Sequence, residues 1–301
     1  MNSIETIIPI ISMIIIGYVL RRTNILDPKD AISLNKIVIN IAIPSLIFLA
    51  IYKTNLSILP AIAPIPAISI AVGIVCGLIA YLISRSQNYP SKTTWSIVIT
   101  SAMFNSGFLG YPVVLGVFGV DGFIRAIFYD LGSMILFISF GIFFLLMFGG
   151  KYSDILKRAL IFPPLWAVFL GLLLNFLNIN IGFITSQTLN YLSGAAIPLI
   201  MISLGLTLDF KGVKEHIKSV SIVSTLKLII APIVALVIVL FLGMGGLEKH
   251  VTILEAGMPS AMLALVLAIT YDLDIKAAAT CIFATTIFSM VTIPLLILFL
   301  S

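Results

Sequence analysis

Charge is what this sequence has least of. Lys, Arg, Asp and Glu make up 10% of its 301 residues, against about 25% in a soluble globular domain. With 60% hydrophobic residues and a mean hydropathy of +1.22, the chain cannot cover its surface with polar groups and is not a water-soluble domain. Cysteine is almost absent. Cys76 and Cys281 both lie inside apolar runs, which excludes a disulfide framework and a Cys-rich metal site. The two histidines, His216 and His250, fall on opposite sides of the expected bilayer and cannot share a metal ion. There is no P-loop, no HExxH and no nucleophile elbow, so catalysis lacks a motif.

Long apolar runs are what the chain does have. Read between charged or Pro, Asn and Gly-rich breaks, they predict an all-α polytopic membrane protein with ten spans, at 4–20, 31–51, 61–83, 93–117, 122–147, 159–177, 186–208, 219–242, 251–269 and 277–300. At roughly 20 residues per span this fills the chain as one membrane domain. Met1, Asn2, Ser3 and Glu5 lack the basic flank and small-residue cleavage site of a signal peptide, so the first run is expected to remain as a span. The connections then separate the basic residues. One side holds Arg21, Arg22, Lys29, Arg85, Lys92, Lys151, Lys157, Arg158, Lys211, Lys214, Lys218 and Lys276, and the other only Lys53 and Lys249. The positive-inside rule puts the first side in the cytosol and both termini outside. The +5 net charge therefore reads as topology, with a lipid bilayer as partner and no nucleic acid.

Half of ten is odd, so related halves would enter the membrane in opposite directions. Ala42, Ile43 and Pro44 match Ala196, Ile197 and Pro198 at an offset of 154 residues, and the same offset pairs Pro9 with Pro163 and Gly17 with Gly171. Repeat one would span about 1–150 and repeat two about 151–301. Inverted repeats are the construction of many secondary transporters, whose sites lie on interrupted helices near the midplane. Two spans in corresponding positions are expected to be interrupted. The fourth carries Asn105, Ser106, Gly107, Gly110 and Pro112, and the ninth carries Gly257, Met258, Pro259 and Ser260. Proline removes a helical hydrogen bond and glycine weakens the turn, and the freed carbonyls and amides need a polar cavity.

Two acids fall at membrane depth, Asp130 in the fifth span and Glu255 just before the second break. A carboxylate at the bilayer centre costs about 2.5–3.5 kcal/mol on insertion scales, so such acids are candidates for cation binding. The bland alternatives are a hydrogen-bonded structural acid at Asp130 and an interfacial one at Glu255. Asp121 and Arg125 are expected to form a local i,i+4 ion pair, and Lys227 to snorkel towards the cytosolic surface. Gly73 and Gly77 read as close helix packing. Trp95, Tyr81 and Tyr152 read as an inner aromatic belt.

The run GYVLRRTNILDPKDAISLNKIVINIAIPSLIF from Gly17 to Phe48 has further companions in order along the chain. They are MFNSGFLGYPVVLGVFG in the fourth span, FYDLG in the fifth, AAIPLIMISLGLTL in the seventh and EAGMPSAM in the ninth. Together they resemble the auxin efflux carrier family over the whole chain, in a short-loop prokaryotic form, and the family is similar to the bile-acid sodium symporters. The resemblance implies ten helices in two inverted five-helix repeats. Spans 1, 2, 6 and 7 would form a scaffold, and the others an elevator-like moving core in which spans 4 and 9 break and cross. It implies crossings at Asn105–Pro112 and at Met258 and Pro259, and a glutamate for sodium at Glu255. Pro259 stands where the symporter pattern has a sodium-binding glutamine, which argues against a second sodium site. The connection after the fifth span is too short for the long cytosolic loop of plant auxin exporters, so auxin is not implied. Short-loop relatives are associated with small carboxylates such as malate and malonate.

These readings converge on a non-enzymatic carrier for a small organic anion in the plasma membrane, working by alternating access as a uniporter or coupled to Na⁺ or H⁺. It needs no other cofactor and would form a homodimer through scaffold helices. Asn105, Ser106, Gly107, Pro112, Met258, Pro259 and Ser260 are the expected substrate contacts. Glu255, Asp130 and Asn105 are the expected cation ligands, and Pro44, Pro112, Pro198 and Pro259 the hinges and crossings. The rivals are a passive channel and an intramembrane aspartyl protease built on Tyr129-Asp130 and Tyr271-Asp272.

Overall fold

The computed structural model describes residues 3–149, 161–207 and 215–300. The expectations for Lys151, Tyr152, Lys157, Arg158, Lys211 and Lys214 lie outside them. The described residues are helical, and their only extended pairing is one isolated bridge. We number the helices α1 (Ser3–Arg22), α2 (Asp30–Tyr52), α3 (Ile65–Ser86), α4 (Ser91–Ala102), α5 (Ser106–Phe148), α6 (Pro163–Phe176), α7 (Gly182–Thr207), α8 (Ile217–Phe241), α9 (Gly246–Ala256), α10 (Met262–Thr270) and α11 (Ile275–Leu300). Six apolar helical runs are long enough to cross a membrane: α2, Leu56–Ser86 (which contains α3), α5, α7, α8 and α11, with α6 apolar but shorter. Phe183, Ile184 and Phe241 are more than 80% exposed, a surface suited to lipid and not to water. The protein is a multi-pass membrane protein.

Fewer long runs than ten expected spans follow from how the helices break. The expected fourth and ninth spans are each interrupted, leaving α4, α9 and α10 too short to cross alone. The rest of the fourth span runs into the fifth as α5, bent where Gly119 takes φ +66°. That left-handed conformation favours glycine, and a Cβ there would meet nothing within 4 Å. Prolines shape the remaining bends. Wide π-type turns at Val38–Ala42, Ser106–Gly110 and Leu226–Ile230 each end two residues before a proline, Pro44, Pro112 and Pro232. The proline ring clashes with the carbonyl four residues back and offers no N–H, so the preceding turn widens. Pro198 instead follows an interruption of α7 at Ala195.

Packing sorts the helices into two groups. In one, α1 lies on the second half of α7, and the second half of α2 lies on α6 and on the first half of α7. In the other, α3 packs on α4 and α5, α9 on α5 and α8, and α11 on α4, α8 and α10. Contacts between the groups run mainly through α1 against α5 and α11. In the first group a contact recurs. A Cβ at Gly17 would run into the Ile202 carbonyl, and one at Gly171 would stand 3.2 Å from the Phe48 carbonyl. Both members of that pair of contacts are shifted by the same 154 residues noted in the sequence. Missing side chains let the helices approach closely enough for dispersion to hold them where lipid supplies no hydrophobic drive.

Candidate functional site

The two interruptions meet. Between α4 and α5 the chain is extended at Met103 and Phe104, and between α9 and α10 at Pro259–Ala261, and the pair forms an antiparallel bridge between Phe104 and Ser260. The Asn105 N–H donates to the Pro259 carbonyl at 2.9 Å and the Ala261 N–H to the Met103 carbonyl at 3.1 Å. Each break thus supplies partners for the other's freed backbone groups, which lipid could not do. The Ser260 hydroxyl donates to the Thr100 carbonyl at 2.7 Å, and its N–H donates to Thr285 Oγ1.

Both helices that leave the crossing start with free amides. In α5 the first bonded N–H groups are those of Leu109 and Gly110, which share the Asn105 carbonyl, so Ser106, Gly107 and Phe108 precede the ladder. In α10 it is Ala264, bonded to the Ala261 carbonyl, so Met262 and Leu263 precede it. A cavity of about 270 Å³ lies against these two starts. Asn105, Gly107, Phe108, Tyr111 and Asp130 line it from α5 and its approach, Ala261, Met262 and Leu263 from α10, and Asn35, Ser203 and Thr207 from α2 and α7. The Tyr111 hydroxyl donates to Asp130 Oδ2 at 2.9 Å. Among the described residues no lysine, arginine or histidine lines the cavity, and the helix starts contribute positive potential there.

The remaining expected residues are placed differently. Glu255 is fully buried, because α9 starts at Gly246 and not at 251. Its carboxylate rests against Gly110, where a Cβ would collide with both oxygens. It faces the Ser106 hydroxyl, yet neither group has a hydrogen bond of normal geometry. Ser106, Met258, Pro259 and Ser260 are buried at the crossing and do not line the cavity, and neither does Pro112, buried next to Tyr111 in α5. Lys227 does not snorkel. It is completely buried, its ammonium 3.1 Å from the centroid of the Phe104 ring, because the wide turn of α8 points it at the crossing. Arg125 does not pair with the Asp121 carboxylate. It donates to the Asp121 carbonyl and binds Glu248 of α9 through Nε at 3.1 Å and Nη2 at 2.5 Å. Asp272 is exposed on the turn after α10, paired with Lys92, and does not line the cavity that Asp130 borders.

Asn35, Tyr111, Ser203, Thr207 and the Phe104–Lys227 contact escaped the sequence reading. Their signal was a single polar residue within an apolar helical run, which also describes many residues that only satisfy a neighbour's carbonyl.

The family described as "Membrane transport protein", the auxin efflux carrier-like family, matches this chain twice, over residues 2–155 and 147–297. The chain belongs to this family. The chain is 47% identical over 295 residues to an uncharacterized transporter of Methanothermobacter thermautotrophicus, covering 98% of this chain and 97% of that one. It is 38% identical over 301 residues to an uncharacterized transporter of Methanocaldococcus jannaschii, covering 98% of each. The two matched stretches meet near the middle of the chain, the first containing the break at Met103–Asn105 and the second the break at Pro259–Ala261.

Proposed function

We propose that the protein carries a small organic anion, a carboxylate with an apolar body, across the plasma membrane by alternating access. Its ten spans would form two inverted repeats with both termini outside. The group of α1, α2, α6 and α7 would stand still, dimerised through its outer face. The group built on α3–α5 and α8–α11 would carry the crossing past it, elevator-like. The observation that carries this reading is the cavity walled by two helix starts, α5 and α10, with free amides and, among the described residues, no basic side chain. Helix N-termini hold anions by amide donation and by the macrodipole, each worth about 0.3–1 kcal/mol at exposed sites and more when buried. Ile39, Ile43, Phe104, Phe108, Leu263 and Val266 on the walls favour an apolar body over a second hydrated charge.

Coupling would reside at Glu255, with Asp130 as the second acid. Glu255 sits beside the Ser106 hydroxyl and Gly110, buried from lipid, where its carboxylate could take Na⁺ or H⁺. Without coupling, a monovalent anion moving outward gains about 2.3 kcal/mol per 100 mV, enough for uniport. The test is counterflow in proteoliposomes with acetate, butyrate, malonate and malate, with and without a Na⁺ gradient and at two pH values. Saturable exchange that prefers butyrate is expected. Non-saturable flux would make the protein a channel. Transport that ignores Na⁺ and pH and survives Glu255→Gln would remove the cation site while leaving the carrier reading intact.

A further inference from the structure

On the stationary wall of the cavity three polar side chains face the crossing, and two of them are already engaged. Thr207 Oγ1 donates to the Leu204 carbonyl at 2.8 Å. Ser203, 1% exposed, donates to Asn35 Oδ1 at 2.7 Å and lies 3.3 Å from the Ala31 carbonyl. Holding Asn35 by its oxygen turns its Nδ2 amide away from Ser203 and leaves its two N–H groups as the unengaged donors among the described residues of that wall.

The offset of 154 residues that relates the Gly17–Ile202 and Gly171–Phe48 contacts gives the equivalent positions on the other face. Asn35 corresponds to Leu189 in the first half of α7, and Ser203 to Leu49 in the second half of α2. Those two helix halves do pack on one another. The polar pair on one side is thus an aliphatic pair on the other. Thr207 corresponds to Lys53, exposed beyond the end of α2, where water and salt screen it.

We propose that Asn35, oriented by Ser203, is a one-sided substrate grip: it hydrogen-bonds the carboxylate when the cavity faces the basic, cytosolic side and has no counterpart when it faces out. The inference rests on the carboxylate reading above. From the crossing the cavity reaches the ends of helices on the basic side, where Thr207 ends α7 and Ile269 lies near the end of α10. An elevator step would move Asn105 and the helix starts away from Asn35 and leave Leu49 and Leu189 as the wall. Net direction still follows the gradients, since a carrier cannot shift an equilibrium. The grip sets the concentration at which each face saturates, and by linkage it biases the loaded carrier inward by the same factor.

The test compares exchange of labelled butyrate and malonate in everted and right-side-out vesicles, which present opposite faces. The wild type is expected to saturate at a lower concentration from the cytosolic face. Asn35→Leu, which reproduces the external residue, is expected to raise the cytosolic half-saturation by about 10-fold or more, the size of a lost hydrogen bond to a charged group, and to change the external value by less than about 2-fold. Ser203→Ala, a gentler change that frees the amide to rotate, should shift the cytosolic value in the same direction by less. Leu189→Asn with Leu49→Ser should tighten the external face. Equal half-saturation at the two faces of the wild type, or equal shifts at both faces in Asn35→Leu and Ser203→Ala, would overturn the proposal alone. Absence of any carboxylate exchange in the wild type would overturn the carboxylate reading and the grip with it.

Discussion

The two breaks make the same backbone contact with different side chains. The two bridge hydrogen bonds, Asn105 to Pro259 and Ala261 to Met103, exchange under a shift of 156 residues, two more than the 154 that relates the Gly17 and Gly171 contacts, and side chains compared at that spacing diverge. Glu255 has Ile99 as its counterpart, and Gly110, on which the Glu255 carboxylate rests, has Val266. Asn105 and Gly107, which line the cavity, have Ala261 and Leu263. The two breaks therefore share one backbone contact, while their side chains differ. The first break offers polar groups to the cavity, and the second holds an acid out of it. A bridge made of N–H and carbonyl groups constrains side chains very little, so one crossing can carry different chemistry on its two breaks.

The most damaging way to erase that difference is Gly110→Val, which gives the first half the residue of the second. Its branched side chain would occupy the space of the Glu255 carboxylate. The loss should be about 3 kcal/mol or more by denaturant titration in mixed micelles, at the upper end for overpacking. Gly110→Val combined with Glu255→Ala should recover most of it, because the two residues share one volume. A double variant as unstable as the single one would mean that Gly110 is needed for the wide turn before Pro112 and not for the acid.

Much of this division was legible in the sequence. The breaks announced themselves because Pro, Gly and Asn are conspicuous in an apolar run, and Glu255 because a carboxylate is expensive there. What could not be read was depth and partnership. Starting α9 at 251 left Glu255 near an interface, and only the helix start at Gly246 buries it. Lys227 was expected to reach the surface because sequence gives its distance from the helix end and not the direction of its side chain. Arg125 had an acid four residues away, yet its partner lies 123 residues along the chain, a choice made by how α5 and α9 pack.

The clasps at the two ends of the crossing sharpen the comparison, since residues 92 and 248 correspond at the same spacing and carry opposite charges. Glu248 at the start of α9 binds Arg125, with side-chain exposures of 18% and 9%. Lys92 at the start of α4 binds Asp272, with exposures of 57% and 85%. Arg125→Ala leaves Glu248 largely desolvated without its partner, and removing one member of such a pair costs about 3 kcal/mol. A stability loss below about 1 kcal/mol in the same titration would show that water reaches Glu248 when Arg125 is gone.

Lys92→Ala should be the mildest of these changes, at or below about 0.5 kcal/mol and undetectable in 1 M salt, because an exposed pair gains little and is screened. More important, its clasp does not depend on the ion pair. The Thr93 hydroxyl donates to Asp274 Oδ2 at 2.7 Å, the Ser96 hydroxyl to the Asp274 carbonyl at 2.9 Å, and Asp274 Oδ1 accepts from the Ala277 N–H at the start of α11. The hydrogen bonds of Asp274 therefore hold this end. Asp274→Ala removes two of these three bonds, one of them the N-terminal cap, and should cost about 1–2 kcal/mol at any salt concentration. If Lys92→Ala were the more costly of the two, the exposed end would be held by charge as the buried end is, and the contrast between the clasps would be one of solvent access alone.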